Sequence, residues 1–307
     1  MCYSISDFPM KFAILLIALL AQTRTSANLN TPNTQEATEV VVNDKIYRFG
    51  GYSLEDDCDK GCYMTRVDVF DSTSWSPFMN MTKELAAQGG TEMDGSIYLF
   101  GGSNDGGSSN EVFLIDIEAK NMTSLTAMPK RDHYISAAAI EEVDGQRAIY
   151  YAGYKGDIKR FEANGSQNHT DYVDKPNGGD AMCYCLLSSN DRKSLFYLTK
   201  NTLHLINVED KTTRTITKEI EGLNNPSTTN CVLDSQDNFF VVQSNDLNKG
   251  VYYVNTKTTS NLQDWQNAGD YPDDFTRSLL SIGIIDDKFI YLSVAGVTDM
   301  FKIKNDS

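Results

Sequence analysis

One short pattern recurs along this 307-residue chain, most clearly as "KIYRFGG" at Lys45–Gly51 and "SIYLFGG" at Ser96–Gly102. Looser copies follow to the end of the sequence. The six copies begin at Ile46, Ile97, Ile149, Leu195, Phe239 and Ile290. Successive copies begin 44 to 52 residues apart, and a period of this length is typical of a repeat architecture.

A second strand-like pattern follows each copy, for example "VDVFD" at Val67–Asp71 and "VFLID" at Val112–Asp116. Its apolar residues alternate, as in a strand with one buried face, and its closing Asp can start a turn. A β-rich run with a turn precedes each copy, and polar turn residues lead on to a further strand. Each unit therefore predicts four antiparallel strands, and six units without a helical pattern predict an all-β, six-bladed β-propeller over residues 28–307.

The ring of such a propeller must close, yet the last unit ends soon after its third strand, "MFKIK" at Met300–Lys304. We predict that the segment Asn28–Gln35 supplies the missing fourth strand, because an open sheet edge exposes unpaired backbone groups. The two ends of the chain would then meet in one blade.

Several motifs stand at fixed places in the first three units. They are the glycine pairs Gly50–Gly51 and Gly101–Gly102, Met128 with Pro129, Arg131, His133, and Trp75 after Asp71. This pattern resembles the kelch repeat family, although the last three units lack the glycine pair and Trp265 is a partial match. The resemblance implies a propeller and a structural role for His133. We expect the glycine pairs to permit close approach of neighbouring blades rather than phosphate binding, since no helix follows them.

The N-terminal segment is typical of a signal peptide. Lys11 precedes ten apolar residues, Phe12–Ala21, and small residues follow. Ten residues are too few to span a bilayer. We therefore expect residues 1–27 to be removed after Ala27, with Met10 as the working initiator, and we expect no membrane anchor.

Sequons and cysteines agree with secretion. The Asn-x-Ser/Thr pattern occurs at Asn80, Asn121, Asn164, Asn168 and Asn305, each in a predicted turn or loop. Cysteines pair in an oxidising compartment. We expect a tight Cys58–Cys62 disulfide across the acidic stretch "LEDDCDKGC".

A second disulfide is predicted by aligning units four and five, which places Cys185 over Cys231 on adjacent innermost strands. Cys183 points the same way as Cys185 and is the alternative partner. The cysteine that stays unpaired would be a buried thiol.

The charge excludes some partners. The chain carries 27 Lys and Arg against 42 Asp and Glu, a net charge of −15. A nucleic acid backbone or an anionic lipid surface would be repelled overall.

The sequence offers no catalytic residues, metal ligands or cofactor motif that we could assign. The three histidines, His133, His169 and His204, stand in no metalloprotease or paired-cysteine zinc pattern, and no Gly-x-Ser-x-Gly is present. Leu54–Cys62 is acidic but lacks the spacing of a calcium loop. Some proteins of the kelch type are enzymes, such as galactose oxidase and sialate mutarotase, and an enzyme of this type is the alternative reading.

The predicted binding surface is formed by the loops that follow the first pattern in each unit, on the propeller face that also holds the connections between blades. The loop of residues 52–64 is the longest. The candidate residues are Tyr52, Leu54, Glu55, Asp56, Asp57, Ser103, Asn104, Asp105, Tyr154, Lys155, Asn201 and Asn245. Because loops on a rigid scaffold carry recognition, we expect a secreted, glycosylated, monomeric binding protein, in one form an effector. Its expected partner is an extracellular protein or glycan, and sequestration of a small ligand is a further alternative.

Overall fold

The structure is a computed structural model. It describes residues 34–53, 62–163, 166–173, 183–199, 202–217, 229–244, 249–257, 262–269, 280–285, 289–294 and 300–304. Within these ranges the chain forms strands, turns and irregular connections, and none of the described residues is helical. In the same ranges, no helix is long and apolar enough to cross a membrane.

The first blade is a four-stranded antiparallel sheet. The strands of this part of the chain are β1 (Thr34–Gln35), β2 (Thr38–Val42), β3 (Lys45–Phe49), β4 (Tyr52–Ser53), β5 (Cys62–Tyr63), β6 (Arg66–Phe70) and β7 (Trp75–Asn80). Blade 1 has the order β2-β3-β6-β7, while β1, β4 and β5 form a small separate sheet.

The second and third blades repeat this plan. Blade 2 and its loop comprise β8 (Gly89–Met93), β9 (Ser96–Phe100), β10 (Ser103–Asn104), β11 (Gly107–Ser108), β12 (Val112–Asp116) and β13 (Asn121–Ser124). Blade 3 comprises β14 (Ser136–Glu141), β15 (Arg147–Ala152), β16 (Ile158–Phe161) and β17 (His169–Val173). The sheets have the orders β8-β9-β12-β13 and β14-β15-β16-β17, and β10 pairs with β11 as a short hairpin.

Two further four-stranded blades follow. Blade 4 comprises β18 (Cys185–Ser188), β19 (Ser194–Leu198), β20 (Leu203–Asn207) and β21 (Thr213–Thr215). Blade 5 comprises β22 (Thr229–Leu233), β23 (Asn238–Ser244), β24 (Lys249–Asn255) and β25 (Gln266–Gly269). The described residues thus form an all-β propeller with five four-stranded antiparallel blades.

The prediction of six four-stranded blades is met only in part. After blade 5 the described strands are β26 (Leu280–Ile285), β27 (Phe289–Val294) and β28 (Met300–Lys304), which form a three-stranded sheet. The first strands β2, β8, β14, β18, β22 and β26 lie side by side in this order, and β26 also lies beside β2.

The expected closing strand pairs elsewhere. Thr34 lies opposite Ser53 and Gln35 opposite Tyr52, so β1 joins the loop of its own blade rather than β28. Only two residues separate β1 from β2, and this short link holds β1 beside the connection that leaves β3. Residues 28–33 lie outside the described part of the chain.

Apolar side chains pack between neighbouring blades. Phe49 and Val67 of blade 1 meet Leu99 and Phe113 of blade 2 in one fully buried cluster. Equivalent clusters join blades 2 and 3, 3 and 4, and 4 and 5. Full burial of such a side chain contributes roughly 1.5–3 kcal/mol, so these interfaces stabilise the packing of blades 1 to 5 on one another.

The glycine pairs serve the contact between blades, as the sequence predicted. Gly50 and Gly101 have φ of 57° and 58°, in the left-handed region. The second glycine of each pair bonds to the connection that leads to the next blade. Gly51 donates its N–H to the Leu85 carbonyl at 3.0 Å, and Gly102 donates to the Asp132 carbonyl at 3.1 Å. A Cβ at Gly50 would lie 2.1 Å from the Leu85 carbonyl oxygen, so only glycine fits there.

Candidate functional site

The antiparallel order gives the propeller two faces. We call "loop face" the end that holds the connections between the second and third strands and those between blades. Its described residues include 50–53, 62–65, 81–88, 101–111, 125–135 and 153–157. We call "turn face" the opposite end, with the short turns at 43–44, 71–74, 94–95, 117–120 and 142–146. Described candidate residues from the sequence all belong to the loop face.

Three equivalent residues tie the entrances of the innermost strands together on the loop face. Glu36, Ala87 and Tyr134 each stand two residues before the first strand of blades 1, 2 and 3, with φ of 53°, 52° and 51°. The Ala87 N–H donates to the Glu36 carbonyl at 2.7 Å, and the Tyr134 N–H donates to the Ala87 carbonyl at 3.0 Å. The left-handed conformation costs a non-glycine residue roughly 1–2 kcal/mol, which these hydrogen bonds between blades offset.

Side chains strengthen the same links. The Tyr134 hydroxyl donates to Glu36 Oε1 at 3.0 Å, which connects the entrances of blades 3 and 1. Ser108 Oγ and His133 Nδ1 share a hydrogen bond of 2.9 Å, which connects the loop of blade 2 to the entrance of blade 3. The loop face of blades 1 to 3 is therefore one continuous surface rather than a set of independent loops.

His133 also supports an aromatic surface. Its ring stacks on Tyr154 with centroids 5.7 Å apart and planes 13° apart. Tyr154 is 46% exposed. The histidine of the kelch-like motif thus has the expected structural role, and that role includes stacking on an exposed tyrosine of the loop face.

A cleft opens beside this aromatic pair, between the blade 2–3 connection and the loop of blade 3. Its accessible volume is about 40 Å³. The charged residues that line it are Lys130, Arg131, Asp132, Lys155, Asp157 and Lys159. Buried Ile135 and Tyr151 form its apolar floor. We call this group of residues the basic cleft.

The cations of the basic cleft differ in their partners. Lys159 pairs with Asp171, and this contact lowers the pKa of the Asp171 carboxyl. Lys130, Arg131 and Lys155 are exposed and, among the described residues, have no ion-pair partner. They are free to meet an anion from outside.

The sequence anticipated part of this site. Lys155 lines the basic cleft and Tyr154 directly precedes it, while Ser103, Asn104 and Asp105 lie in the neighbouring hairpin of blade 2. Tyr52 packs edge-to-face on Tyr63 in the small sheet of blade 1, with ring centroids 5.3 Å apart. The candidates outside the described residues are Leu54, Glu55, Asp56, Asp57, Asn201 and Asn245.

Lys130 and Arg131 were not predicted as binding residues because they stand inside the kelch-like motif, which was interpreted as part of the propeller framework. The signal that could have identified them is the basic stretch "PKR" in a chain of net charge −15. This stretch lies beside Lys155 only in the folded protein, where the connection between blades 2 and 3 packs against the loop of blade 3.

Cations on the turn face are used differently. Arg192 of blade 4 reaches Glu92 of blade 2 at 2.9 Å, beside the turn-face end of β14, where the Glu141 N–H donates to the Arg192 carbonyl. Arg160 binds both oxygens of Glu142, at 2.6 and 2.7 Å, and hydrogen bonds from Arg160 lower the pKa of the Glu142 carboxyl. These pairs hold Arg160 and Arg192 within the protein, in contrast to the exposed cations of the basic cleft.

The histidines have structural hydrogen bonds. His169 Nε2 donates to the Thr126 carbonyl at 3.0 Å, and its Nδ1 accepts from the Tyr151 hydroxyl at 3.0 Å. His204 is fully buried between the hydroxyls of Thr202 and Thr215. Burial lowers the pKa of both imidazoles. Within the described ranges, no group of three His, Cys, Asp or Glu residues could hold a metal ion.

The cysteines agree with the sequence alignment of blades 4 and 5. Cys185 and Cys231 are joined by a disulfide, with Cα atoms 6.3 Å apart, and Cys183 is a buried free thiol whose pKa is raised by burial. Cys62 is also disulfide-bonded. Its expected partner, Cys58, lies outside the described residues.

Three of the five sequons can be placed. All three are exposed. Asn168 comes just before β17, as predicted, but Asn80 is the last residue of β7 and Asn121 the first of β13, so these two lie at strand ends rather than in a turn or loop. They lie on or beside the outermost strands of blades 1, 2 and 3, at the rim of the propeller. Asn164 and Asn305 lie outside the described part of the chain.

Comparison with known proteins adds one distant similarity. No protein-family model matches the chain. An F-box/kelch-repeat protein of Arabidopsis thaliana, At4g39560, is 27% identical over 180 residues, which are 54% of this chain and 64% of the relative. The chain thus spans less than two thirds of that relative's length. The motifs, the propeller fold and this relative are together consistent with a kelch-repeat propeller family.

Proposed function

We propose that this chain is a secreted, N-glycosylated binding protein that recognises an extracellular protein through its loop face. The observation that carries this proposal is the continuous surface of blades 1 to 3. Hydrogen bonds between blades fix its backbone, while Tyr154, Lys130, Arg131 and Lys155 remain exposed on it. Rigid scaffolds that present exposed loop residues are suited to recognition.

Secretion is supported by three features that have separate physical causes. The N-terminal segment has the charge and length pattern of a signal peptide. The Cys185–Cys231 disulfide requires an oxidising compartment to persist. Sequon asparagines on the rim are exposed and can accept a bulky glycan without disturbing the core.

The position of these sequons also favours the loop face as the recognition surface. Asn121 and Asn168 stand at the beginning of outer strands, at the end nearer the turn face, and Asn80 stands at the loop-face end of β7. Glycans on Asn121 and Asn168 would cover the rim beside the turn face. They would leave the basic cleft, at the other end of blades 2 and 3, open to a partner.

The complete ring belongs to the same proposal. We infer a sixth blade around β26–β28, since β26 lies between β22 and β2. Its outermost strand would come from residues outside the described ranges.

The experiment has two stages. The full chain is produced in a eukaryotic secretory host, where we expect it in the medium, starting after Ala27, with a mass that falls on glycosidase treatment. The purified protein is then screened on an array of extracellular proteins and glycans. Saturable binding to a protein supports the proposal. Retention inside the cell, or saturable binding to no arrayed protein, contradicts it.

A further inference from the structure

The basic cleft has a charge opposite to that of the whole molecule. Four cations and two carboxylates line it, whereas the chain as a whole has a net charge of −15. The exposed ammonium groups of Lys130 and Lys155 and the guanidinium of Arg131 come from two different connections that meet only in the folded ring. A local field of this sign attracts anionic groups and repels cationic ones.

The walls of the cleft add apolar and aromatic surface. Met128 and Pro129 lie along the same lining as Lys130. Tyr154, stacked on His133, is exposed and directly precedes the lining residue Lys155. A ligand for this surface therefore needs both negative charge and apolar groups. Acidic polypeptides with interspersed aromatic or aliphatic side chains have both.

The two carboxylates in the lining distinguish this ligand from a uniformly charged polyanion. Asp132 is held in place, because its Oδ1 accepts the His133 N–H at 2.9 Å and its Oδ2 lies against Gly153, 2.3 Å from where a Cβ would be. A sulfated glycan would bring its anionic groups against Asp132 and Asp157. A polypeptide supplies N–H donors that these carboxylates can accept from.

We propose that the basic cleft receives an acidic segment of the partner polypeptide, with carboxylates on Arg131, Lys130 and Lys155 and an apolar side chain against Tyr154. This rests on the proposed binding role of the loop face and names the chemical class of its partner. Guanidinium can bind a carboxylate through two parallel hydrogen bonds, so Arg131 would set the orientation of the segment.

The test uses a fluorescently labelled random copolymer of glutamate and tyrosine as the probe, and fluorescence anisotropy with the full secreted protein. The cleft variant carries Lys130→Glu, Arg131→Glu and Lys155→Glu. Its matched control carries Lys45→Glu, Lys120→Glu and Lys211→Glu, three exposed lysines at turns of the turn face. Both variants change the net charge equally.

We expect the cleft variant to bind the copolymer about tenfold or more weakly, and the control variant to stay within about threefold of the parent protein, since local charge dominates over net charge at physiological salt. Far-UV circular dichroism checks that both variants fold. A second cleft variant, with glutamine at the same three positions, should lose affinity to a smaller extent.

Three results would overturn the inference: equal losses in both charge-reversal variants, no saturable copolymer binding to the parent protein, or tighter binding of heparin than of the copolymer. Failure of this inference is separable from failure of the proposed function. If a partner found on the array binds the cleft variant as well as the parent protein, the acidic-segment inference is wrong, while the binding role of the chain stands.

Discussion

Cys185 and Cys231 are joined by a disulfide that links the innermost strands of blades 4 and 5, with their Cα atoms 6.3 Å apart. The bond closes a loop between residues 46 positions apart. The disulfide therefore links two blades that lack the glycine pair found in blades 1 and 2.

Replacing Cys231 with alanine should destabilise the protein by roughly 2–5 kcal/mol, because the unfolded chain gains the entropy of the opened loop. Guanidinium unfolding under non-reducing conditions measures this loss. Cys183→Ala is the matched control, since it removes a buried thiol but no cross-link, and it should cost clearly less. Equal midpoints for Cys231→Ala and the parent protein would show that the disulfide does not form.

Gly50→Ala should destabilise more than Gly95→Ala. Both residues have positive φ, at 57° and 76°. A Cβ at Gly95 meets nothing within 4 Å, whereas at Gly50 it would lie 2.1 Å from the Leu85 carbonyl oxygen. Gly95→Ala therefore measures backbone strain alone, about 1 kcal/mol.

Gly50→Ala also forces the connection between blades 1 and 2 away from Gly50. Its loss of unfolding free energy should therefore exceed that of Gly95→Ala by about 1–3 kcal/mol. Urea unfolding of the two variants provides the comparison. A loss at Gly50 no larger than at Gly95 would mean that the blades do not approach as closely as described.

Stability should fall as the pH drops below about 6.5, the ordinary pKa of histidine. Burial lowers the pKa of His169 and His204 in the folded protein, so the unfolded chain binds protons that the folded chain does not. The contribution of these imidazoles is complete above about pH 6.5 and is lost as the pH falls toward their folded-state pKa.

Urea unfolding at about pH 7.5 and about pH 5.5 measures this difference in a range above the ordinary carboxyl pKa values. His169→Gln should show a smaller fall in unfolding free energy than the parent protein between these two pH values. An identical fall in the parent protein and in both His169→Gln and His204→Gln would exclude the two histidines as its cause.

Much of the fold could be predicted from the sequence because it depends on local patterns. Alternating apolar residues and closing turn residues mark the four strands of each unit, and the repeat of the pattern marks the blades. The glycine pairs were interpretable for the same reason, since two adjacent glycines after a buried strand indicate a close backbone approach. Cys185 and Cys231 could be paired because the repeat places them at equivalent depth.

Other features depend on contacts between blades and have no local signal. Nothing in the residue types at Glu36, Ala87 and Tyr134 indicates a left-handed backbone, because the hydrogen bonds that stabilise it come from neighbouring blades. The basic cleft likewise joins Lys130 and Lys155, which only the packing of two connections brings together. The pairing of Thr34–Gln35 with Tyr52–Ser53 also differs from the predicted ring closure.

If the loop face is the recognition surface, a glycan that shields it should block binding, whereas a glycan that shields the turn face should not. Gly106→Thr turns Asn104, in the blade 2 hairpin of the loop face, into a sequon. Lys45→Thr does the same for Asn43, in a turn of the turn face. Mass spectrometry verifies occupancy, and biolayer interferometry measures affinity for the partner found on the extracellular array. We expect the glycan at Asn104 to weaken binding by about tenfold or more and the glycan at Asn43 to change it by about twofold or less, because interface contacts are lost only where the glycan covers them. Undiminished binding with the Asn104 glycan, together with loss of binding with the Asn43 glycan, would show that the turn face, and not the loop face, is the recognition surface.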